Sequence, residues 1–159
     1  MTGANRFLIA GAAIVLLAAV AGTGYGQQSQ PGSSPDAIIA ARQAGYKHMG
    51  EAFSAMKTAI EAGGDVAPQQ ASAQTVADWA RQIPTMFPPG TETGHKTHAR
   101  PEIWTDRADF NQRSAALATA ADKLVSLAAA NDKAGFAEQW KAAGAVCGGC
   151  HRSYRSRLE

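Results

Sequence analysis

After the first 26 residues this chain shows almost no alternating strand pattern, whereas apolar residues three and four positions apart recur throughout, a spacing that points to packed helices. The first seam runs Ile39, Arg42, Tyr46, Met49, Phe53, Met56, Ile60. Ser34 stands as its N-cap, Pro35 as its first helical residue and Asp36 in its first turn, and Gly63-Gly64 closes it. A second helix is expected from Gln69 to Ile83, with Val76, Trp79 and Ile83 on one face and Pro84 as its stop. A third runs from Pro101-Glu102 to about Ala130 and buries Trp104, Phe110, Leu117 and Leu124. After a turn at Asn131-Asp132-Lys133, a fourth carries Phe136, Trp140, Ala143, Cys147, Cys150 and Tyr154. Four amphipathic helices with mostly short connections predict an all-α fold, an antiparallel four-helix bundle. The many alanines of the third and fourth helices either let backbones approach closely or leave room for an inserted group. The connection from Pro84 to Pro101 is long enough to be functional or mobile. One seam residue is out of place: Arg42 holds a core-type position, which is costly unless something anionic is buried beside it.

The first 26 residues differ from the rest. Arg6 is their only charge, and Phe7 to Ala21 is an unbroken run of apolar and small residues. A helix of that length spans about 22 Å, short of the roughly 30 Å bilayer core. Ala19-Val20-Ala21 and Gly24-Tyr25-Gly26 both offer small-residue cleavage patterns. Residues 1–26 therefore read as a signal peptide and 27–34 as a flexible linker, which leaves one exported domain over 35–159; an uncleaved anchor is the competing reading. Lys plus Arg total 15 against 13 Asp plus Glu, with no basic block, so nothing marks a nucleic-acid binder. The chain has only 2 cysteines, which excludes a disulfide scaffold and a four-cysteine zinc site.

Those two cysteines stand in Cys147-Gly148-Gly149-Cys150-His151, and C-x-x-C-H is the attachment signature of c-type haem. Thiols one helical turn apart can each form a thioether to the vinyl groups on one porphyrin edge, and the imidazole of the next residue then projects over the iron. Adjacent glycines cost a helix about 1 kcal/mol each relative to Ala, and a large rigid group against that backbone accounts for them. Three rival readings stand beside haem. A thioredoxin-like dithiol would sit at the start of a helix in a strand-containing fold. A structural disulfide leaves His151 unexplained. A zinc site would need His95 or His98 as a further ligand.

With these residues in view, the chain resembles the class II cytochromes c, the cytochrome c prime family. The resemblance covers about residues 35–157. It is carried by CGGCHRSYR at 147–155, PEIWTDRADF at 101–110, MFPPGT at 86–91 and RQAGYKHMGEAF at 42–53. It implies a four-helix bundle with one covalent haem c per chain in its interior and His151 as axial ligand. It also implies Arg42 near a haem propionate and Arg155 near the proximal imidazole; a solvated cation favoured by the helix dipole is the alternative for Arg155. The family divides at the residue four after Arg42. Methionine there gives six-coordinate, low-spin iron, and a non-ligating hydrophobic residue leaves five-coordinate iron that binds nitric oxide or carbon monoxide. Tyr46 matches neither. It is read as a lid over an open site, with ligation by Met49, by a Tyr46 phenolate or by His48 as alternatives. His95 and His98 read as solvated loop residues outside the site.

The expected function is a periplasmic electron carrier using the Fe(III)/Fe(II) couple and exchanging electrons with redox proteins of a respiratory or photosynthetic chain. The alternative is a five-coordinate module binding nitric oxide or carbon monoxide near Tyr46. A thiol–disulfide oxidoreductase would be colourless. No Ser/His/Asp set or phosphate loop is present, so no enzyme activity is expected, and the resemblance is compatible with a homodimer.

Overall fold

The computed structural model describes residues 34–94 and 96–156. The expected signal peptide, the expected linker before Ser34, and His95 lie outside the described residues. Four long helices form the bundle: α1 (Pro35–Glu61), α2 (Gln70–Gln82), α4 (Arg107–Ala129) and α5 (Lys133–Tyr154), with a short α3 (Glu102–Thr105) leading into α4. Among the described residues, extended pairing is limited to one isolated antiparallel bridge, Ala99 with Arg155. No helix among them is long and apolar enough to cross a membrane.

The helix boundaries follow local chemistry. Ser34 Oγ accepts from the Ala37 amide at 3.2 Å with Pro35 behind it, and Gly63 takes the left-handed conformation (φ 65°) that ends α1. Asp132 caps α5 by accepting from the Gly135 amide at 3.0 Å. Asn131 also has positive φ, and its Oδ1 accepts from the amides of Val66 (2.9 Å) and Ala67 (3.3 Å). One side chain thus ties the α4–α5 turn to the α1–α2 connection.

Two expectations are corrected. Pro84 does not stop the second helical segment outright: α2 ends at Gln82 and a 3-10 turn, Ile83–Met86, continues through it, because proline fits the first turn of a helix, where no amide partner is required. The third helix is not continuous either. Asp106 (φ −119°, ψ 54°) breaks it and opens α4, its carbonyl accepting from the Phe110 amide at 3.1 Å. The break lets Ile103 turn into the core and Trp104 donate to the Pro88 carbonyl at 3.3 Å.

The core lies between α2, α4 and the inner face of α5. Ala73, Val76, Ala77 and Ala80 of α2 meet Leu117, Ala118, Ala121, Leu124 and Ala128 of α4, all buried, with Phe136 and Ala143 of α5 against them. Ser114 Oγ donates to the Ala80 carbonyl across this seam. α1 approaches α2 at Gly45, where a Cβ would overlap the Trp79 ring. α1 and α5, by contrast, meet where the Phe53 and Trp140 rings stack at 4.8 Å and part beyond that contact.

Candidate functional site

The gap between α1 and α5 is a cavity of about 760 Å³, within the usual range of roughly 300–1,000 Å³ for cofactor sites. Tyr46, Met49 and Phe53 of α1 line one side, Cys147, Cys150, His151 and Tyr154 of α5 and its C-cap Arg155 the other, and Phe87, Ile103, Phe110 and Leu117 the floor. Helical spacing alone explains the α5 wall: residues three and four apart share a face, so Cys147, Cys150, His151 and Tyr154 all reach the same space. The seven residues singled out in the sequence, Arg42, Tyr46, Met49, Cys147, Cys150, His151 and Arg155, all line this one cavity. His48 is exposed on α1 and does not.

Burial sets the protonation of the α5 wall. It raises both thiols above their ordinary range, and for Cys150 the Arg113 guanidinium works against it. The thiols are half-buried and not bonded to each other. Desolvation, reinforced by the Arg155 charge, lowers His151, which favours the neutral imidazole, the form that ligates metals. Opposite them, burial pushes the Tyr46 phenol well above its ordinary value, with Arg42 pulling the other way.

Arg42 has protein partners that the sequence did not show. Its acceptors among the described residues are neutral oxygens of the long connection: Thr91 O (2.9 Å), Thr91 Oγ1 (3.0 Å), Thr97 Oγ1 (2.7 Å) and Met86 O (3.4 Å). The guanidinium also lies 4.3 Å from the centroid of Phe87. Four of the five donors of the planar fork are satisfied this way without a carboxylate, all of them on Nη1 and Nη2, and Glu92 adds only attraction through space. Arg42 therefore pins the connection over one end of the cavity while still lining it.

Three contributors escaped the sequence reading. His98, expected to be solvated, is half-buried and lines the cavity, and its carbonyl accepts from the Ser156 amide at 2.9 Å. Arg113 of α4 lines it beside Gly149 and pairs with Asp109 at 2.5 Å. Phe87 centres an aromatic cluster with Tyr46 (6.5 Å), Trp104 (5.8 Å) and Phe110 (5.2 Å). Nothing in local spacing marks any of them, because each acts across elements distant in sequence.

The residues present fit a haem. The cavity is large and mostly apolar, with two thiols one turn apart on one wall and an imidazole beside them. A Cβ on Gly148 would meet only the Arg152 guanidinium, at 3.5 Å, so packing within the protein does not require glycine there.

Comparison with known proteins agrees. Residues 37–155 match the family model described as Cytochrome C'. The chain is 38% identical over 91 residues to a cytochrome c-556 of Agrobacterium tumefaciens, covering 57% of this chain and 72% of that one. It is 34% identical over 122 residues to a cytochrome c' of Rhodopseudomonas palustris, covering 76% and 82%. The solved nitric oxide complex of a cytochrome c prime variant from Alcaligenes xylosoxidans is similar with a TM-score of 0.71 at 29% identity, covering 80% of this chain and 100% of that one.

Proposed function

Because the chain belongs to the cytochrome c prime family, whose haem c is covalently bound, we propose that Cys147 and Cys150 form the thioethers, that His151 ligates the iron, and that the opposite face stays open to nitric oxide or carbon monoxide beneath Tyr46. The observation that carries this reading is the residue facing the α5 wall. Tyr46 lines the cavity and packs against Phe87 at 6.5 Å, and it is a neutral phenol, a poor iron ligand, which burial pushes further from the phenolate form. A bound haem would supply a redox-active iron able to take up a small ligand. The chain's own residues do the rest. Cys147 and Cys150 fix one porphyrin edge, Tyr46 and Phe53 exclude water from the α1 side, and Arg42 and Arg155 stand as cations available to the propionates. The nitric oxide adduct of the Alcaligenes relative supports ligand binding at such a site.

Electron carriage outside the cytoplasm is the second reading, supported by the position of His151 at the cavity mouth, where the residue that would hold the iron stays within reach of a partner protein. Export through residues 1–26 and exchange with redox partner proteins belong to this proposal, as does the absence of enzymatic turnover.

Ferrous spectra with and without carbon monoxide test the primary reading. A high-spin spectrum that shifts on adding carbon monoxide is expected. A low-spin ferrous spectrum indifferent to carbon monoxide, with a methionine–sulfur band in the ferric form, would assign ligation to Met49 and overturn it.

A further inference from the structure

The two tyrosines of the cavity differ in what their hydroxyls face. Tyr154 donates to Asp109 Oδ2 at 2.6 Å, with Asp106 Oδ2 at 3.4 Å. The ionisable neighbours that shape Tyr46 are Arg42 and Cys150, not carboxylates. The indole nitrogens of Trp104 and Trp140 donate to the backbone carbonyls of Pro88 and Phe53, which cannot take up a proton. Loss of an electron makes a phenol strongly acidic, so a buried tyrosine gives up an electron readily only when a base stands ready for its proton. Tyr154 meets that condition. Its side chain is 5% exposed, lines the same cavity as Cys150, and follows His151 by one turn on α5.

The base is itself held ready. Asp109 accepts from Arg113 Nε at 2.5 Å, and the guanidinium lies 5.8 Å from the Tyr154 ring centroid. The hydrogen bonds from Tyr154 and Arg113 hold the Asp109 carboxyl below its ordinary range, so it is ionised at neutral pH. The side chains of Asp109 and Arg113 are each 36% exposed, so the pair links the buried phenol to solvent.

We propose that Tyr154, with Asp109 as its proton acceptor, is a redox-active tyrosine that donates an electron to the haem when a hydroperoxide reacts there. Cleavage of the hydroperoxide O–O bond takes two electrons, one from the iron and one from Tyr154. The Tyr154 O–H bond breaks, its electron passes to the haem and its proton to Asp109, where a new O–H bond forms. One peroxide oxygen would leave as water or alcohol with the hydroperoxide's own proton, and a bound haem would take up the other. The device moves an oxidising equivalent off the porphyrin and onto a residue beside a half-exposed carboxylate–guanidinium pair, where surface reductants can quench it. The inference rests on the open iron position proposed above, on which carbon monoxide binding reports separately.

The test is freeze-quenched electron paramagnetic resonance of the haem-loaded protein after mixing with hydrogen peroxide. A tyrosyl signal is expected in the unmodified protein, abolished in Tyr154→Phe and several-fold weaker in Asp109→Asn, which keeps the phenol and removes the base. Haem bleaching by peroxide should be several-fold faster in both variants. The Soret spectrum and melting temperature establish that each variant is folded, and a purely structural Tyr154–Asp109 contact would leave the radical yield unmoved. A signal of undiminished size in Tyr154→Phe, or no protein radical in the unmodified protein while peroxide converts its haem spectrum, overturns the proposal. Peroxide that leaves the haem spectrum unchanged overturns it too, together with the open position if carbon monoxide also fails to bind.

Discussion

The α2–α4 seam and the α1–α5 face both rely on small residues, with opposite results. Across the seam, small residues oppose one another or medium aliphatics, and the backbones come close enough for Ser114 to reach the Ala80 carbonyl. On the α1–α5 face, Gly50, Gly144 and Gly148 stand beside half-buried Tyr46, Phe53 and the thiols, and the helices enclose a cavity of about 760 Å³. A stripe of small residues thus means close approach where its partner is also small, and room for a guest where long side chains prop the helices apart. One half of the bundle is stabilised by its own packing. The other half depends on what fills it.

Denying the guest gives the largest expected effect. Without the haem the cavity's apolar lining stays in contact with water, and the burial forgone weighs against a total of only about 5–15 kcal/mol for a typical domain. Replacing both thiols (Cys147→Ser with Cys150→Ser) should give a polypeptide of bare mass with no covalent haem and without a sharp thermal transition. Hydrogen exchange should keep protection longest in α2 and α4. Cooperative melting at the temperature of the haem-loaded protein would break the comparison.

Arg42→Met comes next. It orphans acceptors around Thr91, which is 1% exposed, and removes the cation over Phe87; at about 1–3 kcal/mol for an unsatisfied buried polar group, a loss of about 3 kcal/mol is expected. Amides of residues 87–100 should exchange faster, while α4 is unaffected. Gly45→Ala is milder and acts at the α1–α2 approach. Its methyl overlaps the rigid Trp79 ring, and relief by a small helix shift costs about 2 kcal/mol, or about 6 °C in Tm for a chain of this size. Thermal denaturation followed by circular dichroism checks both.

The same division separates what was legible in the sequence from what was not. α1 could be read from the Ser34 cap to Gly63 because capping is local, and the Cys147–Cys150–His151 wall could be read because one helical turn fixes it. The partners of Arg42 could not. The seam announced a buried cation, but Thr91 and Thr97 lie 49 and 55 residues away, and only the folded connection brings their oxygens to it. The break at Asp106 was hidden because the apolar spacing runs on through it; the tertiary fit of Ile103 and Trp104 ends the helix there. Arg113 and His98 reach the cavity from elements whose own periodicity gives no hint of it.

The smallest expected effect concerns alkaline stability and isolates the cavity wall. Burial raises the Tyr46 phenol above its ordinary value of about 10. Below about pH 10 the phenol is protonated in both folded and unfolded chains, and the group's contribution to stability is fully present. Above that, the unfolded chain releases the proton while the folded chain retains it, so stability falls as pH rises toward the folded value. The slope for one group is at most about 1.4 kcal/mol per pH unit, so between about pH 10 and 11 the loss is about 1 kcal/mol. Tyr46→Phe removes the group and should melt about 3 °C higher relative to the unmodified protein at pH 11 than it does at pH 8. The sign distinguishes burial from ligation. Were the Tyr46 oxygen bound to iron as phenolate, its folded pKa would be depressed and the same substitution would lose stability at neutral pH as well as at high pH. A flat difference between the two proteins across this range would mean that the phenol is solvated, and the α1 wall would then be no barrier between the haem and water.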